Sequence, residues 1–187
     1  MSARAHGITE SVVTADEVMR VRTDLLPPHA AADPASADLG AVNHVVGEAV
    51  RSWNLPARVL RLALPSLLYT SQDLAQMSAA LAARGTEPDD EAVGVAVWES
   101  ADGDDVPAGG RAILLHGLYV VPRWQRRGVG GNLLEFVSTW AESREFDAIV
   151  LRAWRESERF FRAHGFRSMH TGKSAHLHPR RLYKALR

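Results

Sequence analysis

Apolar residues recur along the chain at two spacings, which separate predicted helices from predicted strands. Between residues 38 and 53 they return every three or four positions, as expected of a helix with one buried side. The same spacing and the flanking residues predict helices at 14–26, 38–53, 71–84, 129–144 and 157–163. Short β-branched or alternating runs predict strands at 8–13, 59–64, 92–99, 112–121, 148–153, 167–170 and 182–186. This order predicts an α/β or α+β fold with helices on both faces of the sheet.

Glycine and proline mark several boundaries of these elements. Gly117 interrupts the 112–121 strand, and a glycine inside a strand often marks a β-bulge. Pro122 ends the same strand, and Gly165 stands where the last helix is expected to stop. We therefore expect the central strand to be distorted near Gly117.

Composition narrows the classes of function. The length of 187 residues predicts one domain, 1–187. Basic and acidic side chains balance at 22 each, which disfavours a nonspecific nucleic-acid partner. The absence of cysteine excludes disulfides, thiolate metal sites and a cysteine nucleophile. No apolar run approaches the length of a membrane span, so we expect a cytoplasmic protein without a membrane partner.

The segment 125–131, Gln-Arg-Arg-Gly-Val-Gly-Gly, lies between a predicted strand and a predicted helix. Its glycines let the backbone approach a ligand closely and adopt positive φ angles. The unpaired N–H groups of a helix's first turn favour an anion. Arg123, Arg126 and Arg127 add positive charge. Together these features predict a diphosphate site.

Two common nucleotide-binding motifs do not fit this segment. The dinucleotide motif G-x-G-x-x-G requires glycine where Leu133 stands. The P-loop requires Lys followed by Ser or Thr, where this chain has Gly131 and Asn132.

A third pattern fits. Residues 118–130 closely resemble the acetyl-CoA-binding region of the GNAT acetyltransferase superfamily: a hydrophobic strand, a proline, then Arg/Gln-x-x-Gly-x-Gly/Ala opening a helix. Gln125, Gly128 and Gly130 match this pattern in register. Residues 160–166, Phe-Phe-Arg-Ala-His-Gly-Phe, resemble the family's second motif at the family's usual spacing.

The resemblance implies a GNAT fold, with a central, mixed and mostly antiparallel sheet and helices on both faces. It implies an N-acetyltransferase that needs no metal and uses acetyl-CoA as co-substrate, attacked directly by a small-molecule amine in a ternary complex. In the family, the fourth strand pairs with the pantetheine arm, the loop amides hold the pyrophosphate, and the acyl group lies where the fourth and fifth strands separate. The cofactor-binding residues carried over are Leu118, Tyr119, Val120, Gln125, Arg126, Arg127, Gly128, Val129, Gly130, Gly131 and Phe161.

The resemblance also implies a candidate general base. His116 stands where several family members carry a Glu or His, and imidazole titrates near neutral pH. Strand alternation predicts that His116 shares a face with Leu118 and Val120 and leaves Tyr119 on the other face.

The usual acid of the family is missing. Many members have a tyrosine aimed at the CoA sulfur where this chain has Phe161, and a frequent asparagine is replaced by Trp154. Tyr69 and Tyr183 are alternative proton donors from other segments. Solvent is a further proton source.

The acceptor end gives weaker signals. The 170–180 loop is either a solvated loop or an acceptor lid, and its His176-x-His178 pair lacks a matching carboxylate cluster for a metal. Trp53, Trp98 and Trp154 are candidates for an aromatic pocket, with core packing the alternative. A catalytically silent acyl-CoA-binding sensor and a protein or peptide N-acetyltransferase remain alternatives. A homodimer is possible because dimers are common in the family.

Overall fold

A seven-stranded sheet forms the centre of the protein. The computed structural model describes residues 21–26, 37–85, 90–102, 106, 110–169 and 180–186. The strands are β1 (Val21–Leu25), β2 (Ser78–Arg84), β3 (Ala92–Ser100), β4 (Ala112–Val120), β5 (Ala148–Arg152), β6 (Arg167–Ser168) and β7 (Arg181–Ala185). Their order is β1-β2-β3-β4-β5-β7-β6, and every pair is antiparallel except β4 with β5. The predicted mixed, mostly antiparallel sheet is confirmed.

Helices cover both faces of this sheet. They are α1 (Ala37–Arg51), α2 (Ala57–Leu67), α3 (Ser71–Gln76), α4 (Val129–Glu142) and α5 (Glu158–Ala163), with a 3₁₀ turn at Pro122–Trp124. A Cβ atom added at Gly94 would meet Val129 and Leu133 of α4, so α4 packs on that face. A Cβ atom at Gly117 would lie 2.8 Å from the Tyr69 hydroxyl, which belongs to the α2–α3 connection. Gly94 and the partner of Gly117, Val97, are three residues apart on β3, so they point to opposite faces.

The α1 prediction is confirmed. The apolar stripe of this helix is buried in the main core, with Leu39 and Trp53 packed at its margin. The buried positions of the stripe are Val42, Val45, Val46, Ala49 and Val50. Burying a valine side chain contributes on the order of 1.5 kcal/mol or more, so the stripe anchors α1 to the sheet.

The predicted strand at 59–64 is wrong, because this segment lies inside helix α2. Leu60, Leu64 and Leu67 follow helical spacing and pack against the core. Arg61 is the only polar residue among 59–64, so the segment has no true alternation, and every residue of α2 keeps some exposure.

The predicted helix at 71–84 is also wrong over its second half. Helix α3 begins with a capping box between Thr70 and Asp73 and ends at Gln76. The alanine-rich remainder forms β2, between β1 and β3, and is buried at Ala79, Ala80, Ala82 and Ala83. Intrinsic preferences differ by less than about 1 kcal/mol per residue, so burial of the strand outweighs them here.

The N-terminal prediction fails where it can be compared. Residues 21–25 were expected to end a helix but form β1, which pairs with β2. The predicted strand at 8–13 and the start of that helix lie outside the described residues. Within the described ranges, none of the helices combines the length and apolar character needed to cross a bilayer.

The packing of α4 on the sheet yields a stability prediction. Leu133 of α4 is 0% exposed, whereas Leu62 of α2 is 69% exposed. Leu133→Ala should lower the free energy of unfolding by about 2–5 kcal/mol, because it leaves a cavity. Leu62→Ala, the matched control, should change it by roughly 0.5 kcal/mol or less. Urea denaturation followed by circular dichroism measures both, and equal losses would contradict this packing.

Candidate active site

A β-bulge distorts β4 at the residue before Gly117. The β3–β4 register pairs Val97 with Gly117 and Trp98 with Leu115, so His116 is the extra residue. The predicted bulge near Gly117 is confirmed. An extra residue shifts the inside–outside alternation of the strand by one position.

Beyond the bulge, β4 and β5 separate. Their pairing runs from Ala112 with Ala148 to Leu115 with Leu151, and β4 continues to Val120. The resulting gap is where the family resemblance places the acyl group.

The backbone of β4 presents hydrogen-bonding groups to this gap. Val121 N–H donates to the carbonyl of Val93 on β3 at 2.9 Å. Because bonding directions alternate along an antiparallel strand, the N–H and C=O groups of Leu118 and Val120 point the other way, into the gap. The Gln125 side-chain amide donates to the Val120 carbonyl at 3.1 Å, which ties the loop to the strand. An extended ligand can therefore pair with β4 as an added strand.

The glycine-rich loop leads directly into α4. Gly128 is the N-cap, with φ 86°, and a Cβ atom there would meet nothing within 4 Å. Gly130 and Gly131 are helical instead, and their Cβ atoms would lie 3.3 Å from Phe160 and from His164. Of the three glycines, Gly128 alone uses the left-handed conformation, while the other two allow close packing. Arg126 also has positive φ, at 60°.

The start of α4 suits an anion. Gly128 has no side chain to cap the helix, and the first turn contains no acidic residue. The N–H groups of that turn and the positive end of the helix dipole are therefore directed at the loop. Arg127 lies over the Trp124 ring, 5.3 Å from its centroid, whereas Arg123 pairs with Glu91. The open space at Gly128 and these charges fit a diphosphate.

Two predicted cofactor residues are largely buried. The side chain of Val129 packs near Gly94, so only its backbone is suited to meet a ligand at the loop. Phe161 packs edge-on against Phe160 and Phe166 in the core. Its role at the CoA sulfur stays a prediction.

His116 contacts a carboxylate. Its Nε2 atom lies 2.7 Å from Glu99 Oε1, and both side chains are partly exposed. This contact places His116 on the face of Glu99, opposite Leu118 and Val120. The predicted shared face is wrong because the bulge adds one residue to the alternation.

A second carboxylate, Asp73, lies on the same face. Hydrogen bonds from the Thr70 side chain and backbone lower the pKa of Asp73; desolvation opposes them in part, and nearby His116 adds a smaller lowering. Thr70 N–H and Oγ1–H both donate to Asp73 Oδ2 at 2.7 Å. Asp73 is therefore ionised at neutral pH and held in place.

Two hydroxyls complete this face. Burial raises the pKa of Tyr69 well above its usual range, and the neighbouring Tyr119 hydroxyl and the Asp73 carboxylate raise it further. Burial also raises the pKa of Tyr119. Asn43 of α1 fixes Tyr69 by two hydrogen bonds of 2.8 Å to its backbone. Both hydroxyls consequently stay protonated at neutral pH.

Several of these residues were missed by sequence reasoning. Tyr119 was set apart from His116 by strand alternation, which the bulge invalidates. Glu99 and Asn43 carry no local signal, because their roles depend on strand register and on helix docking. Asp73 was visible as a first-turn acid of α3 but not as a neighbour of His116. Tyr183, the other proposed proton donor, packs instead beside a small separate apolar cluster.

The three candidate tryptophans fall into two groups. Trp154, just after β5, is 56% exposed and contacts Trp53 with ring centroids 5.2 Å apart. Trp98 is 0% exposed and packs on Trp140, so it belongs to the core.

Among the residues that the structure describes, no group of three or more His, Asp or Glu could hold a metal. The 170–179 segment, including His176 and His178, lies outside them.

Part of the chain matches a known family model. Residues 81–168 match the model of the acetyltransferase (GNAT) domain. No curated protein sequence matches the chain significantly.

Solved structures share the fold. One is the PaiA N-acetyltransferase of Thermoplasma acidophilum in complex with coenzyme A, with TM-score 0.63 and 13% identity over 89% of this chain and 99% of that chain. A GNAT-family acetyltransferase from Staphylococcus aureus Mu50 has TM-score 0.58 and 14% identity over 89% and 100%. The NatC complex bound to Gag peptide and CoA has TM-score 0.57 and 15% identity over 90% and 100%. Residues 81–168 thus match a GNAT acetyltransferase domain, and the chain shares the fold of these N-acetyltransferases.

Proposed function

We propose that the protein transfers an acetyl group from acetyl-CoA to an amine of a small molecule by direct attack in a ternary complex. The observation that carries this proposal is the gap between β4 and β5, bordered by the Gly128 loop and by His116. Structures with the same fold are bound to CoA in the PaiA and NatC examples, which supports the assignment of the donor.

The chain offers a set of groups that would hold the donor. Backbone groups of Leu118, Tyr119 and Val120 would run beside the pantetheine arm, and the amides of 126–131 would hold the pyrophosphate. Gln125 keeps the loop against β4 through its bond to the Val120 carbonyl. Arg126 and Arg127 add charge, and Phe161 supports this side from α5.

The chemistry requires a neutral amine. An amine in water is mostly protonated at neutral pH, so a base must take a proton before or during attack. His116 is our candidate base because it lies at the bulge, where the gap begins, and no other described imidazole does. The departing thiolate is a tolerable leaving group, since a free thiol ordinarily titrates near pH 8.5.

A tyrosine hydroxyl can take the place of the usual acid. Phe161 cannot donate a proton, but Tyr119 lies on the same face as His116, next to the Tyr69 hydroxyl. Because burial keeps both phenols protonated, Tyr119 is a proton source that remains loaded at neutral pH.

One experiment distinguishes this function from the two alternatives, a peptide N-acetyltransferase and a catalytically silent acyl-CoA sensor. Purified protein is incubated with acetyl-CoA and a panel of small amines and peptides, and thiol release is followed together with product mass. We expect release with small amines. Release with peptides alone would favour a peptide acetyltransferase, and tight acetyl-CoA binding without any turnover would favour a silent sensor.

The loop yields a prediction on binding. Gly128→Glu should abolish acetyl-CoA binding, because it places a carboxylate against the diphosphate and forces a side chain into positive φ. Gly128→Asn should retain most of the affinity, since asparagine tolerates this conformation and is uncharged. Isothermal titration calorimetry measures both. Unchanged affinity in Gly128→Glu would remove the central claim about the loop.

The base yields a kinetic prediction. His116→Ala should lower kcat roughly 10²-fold, the usual scale for losing a general base, while acetyl-CoA affinity stays the same. His44→Ala, an exposed histidine on α1, is the matched control and should keep wild-type kcat. Steady-state kinetics and calorimetry measure these effects. A His116→Ala enzyme with normal kcat would exclude His116 as the base.

A further inference from the structure

The Glu99–His116 contact has a consequence for which nitrogen of the imidazole can act. An ionised carboxylate accepts hydrogen bonds but cannot donate one. With His116 Nε2 at 2.7 Å from Glu99 Oε1, the imidazole hydrogen therefore lies on Nε2. In the neutral ring, the free electron pair is then on Nδ1.

We propose that Glu99 is a positioning residue that holds the Nε2–H tautomer of His116 and presents Nδ1 as the base. This inference rests on the proposed function. During transfer, the amine nitrogen bonds to the acyl carbon, the C–S bond breaks with its electrons on sulfur, and the amine proton passes to Nδ1. The imidazolium that forms keeps its Nε2–H bond to the Glu99 carboxylate, whose negative charge stabilises it.

The neighbours of His116 single out Glu99 for this role. Asp73, Tyr69 and Tyr119 face the same region, but Tyr69 bonds to Tyr119 and Asp73 is bonded by Thr70. Because Asp73 is hydrogen-bonded to Thr70, it acts on His116 through its charge alone. Glu99 touches the ring directly, and β3 fixes its backbone beside β4.

The contact contributes little to folding. Partly exposed ion pairs stabilise a protein only weakly, because solvent screens them. A change at Glu99 can therefore be tested for its effect on the histidine with little interference from unfolding.

The decisive variant is Glu99→Gln. Its amide can donate N–H to Nε2 and drive the proton onto Nδ1, which removes the base; the corresponding Asp-to-Asn change in serine proteases acts in this way. We expect kcat to fall on the order of 10²-fold, and further than in Glu99→Ala, while the KM and Kd for acetyl-CoA stay within about twofold. Glu48→Gln, which removes a surface carboxylate paired with Arg51, should behave as wild type.

A spectroscopic readout tests the tautomer without turnover. Long-range ¹⁵N–¹H spectra at alkaline pH, assigned with His116→Ala, should show the proton on Nε2 in wild type and on Nδ1 in Glu99→Gln. A melting temperature equal to that of Glu48→Gln confirms folding. Unchanged ring signals in Glu99→Gln overturn the proposal, whether or not kcat falls. If wild type turns over no amine, the proposed function fails separately, and the spectra alone decide the role of Glu99.

Discussion

The extra residue in β4 determines the geometry of the site. Strand side chains alternate with a period of two, so one inserted residue moves every later side chain to the opposite face. Here the insertion is His116, which joins Glu99 on the face that also holds Tyr119 and Tyr69. The same distortion ends the pairing of β4 with β5 after Leu115, so the gap and the histidine beside it share one cause.

The sequence predicted the placement of the loop well, because Gly128 stands directly before α4. The Gly128 loop, its position before α4 and its anion-binding character depend on local chemistry, which a short segment contains in full. The surroundings of His116 depend instead on the pairing register of the strands. Gly117 indicated the bulge. Counting residues along an undistorted strand nevertheless placed His116 on the face of Leu118, whereas it lies on the face of Tyr119. Glu99 was invisible because it becomes a neighbour only when β3 and β4 pair.

The errors in the fold have a related origin. Residues 78–84 are rich in alanine, a strong helix former, yet they form a strand between β1 and β3. The small alanine side chains suit burial between neighbouring strands. Pairing with β1 and β3 outweighs the weak preference of alanine for a helix. In contrast, 59–64 looked like a strand but forms a helix whose leucines reach the core at helical spacing. In both segments tertiary contacts decided between nearly equal local choices.

The two ends of the gap differ in charge, and the distance between them decides whether these charges affect each other. Val120 is four residues beyond His116 on the strand, about 13 Å away at the usual rise, and Gly130 packs near Val120 at the loop end. The loop end has an uncapped helix terminus, while the histidine end has Glu99 and Asp73. This separation exceeds the Debye length of about 8 Å at physiological salt, so the ends act largely independently. An anionic donor and a cationic amine can therefore be attracted to one gap without either weakening the other, which is the arrangement that direct transfer in a ternary complex requires.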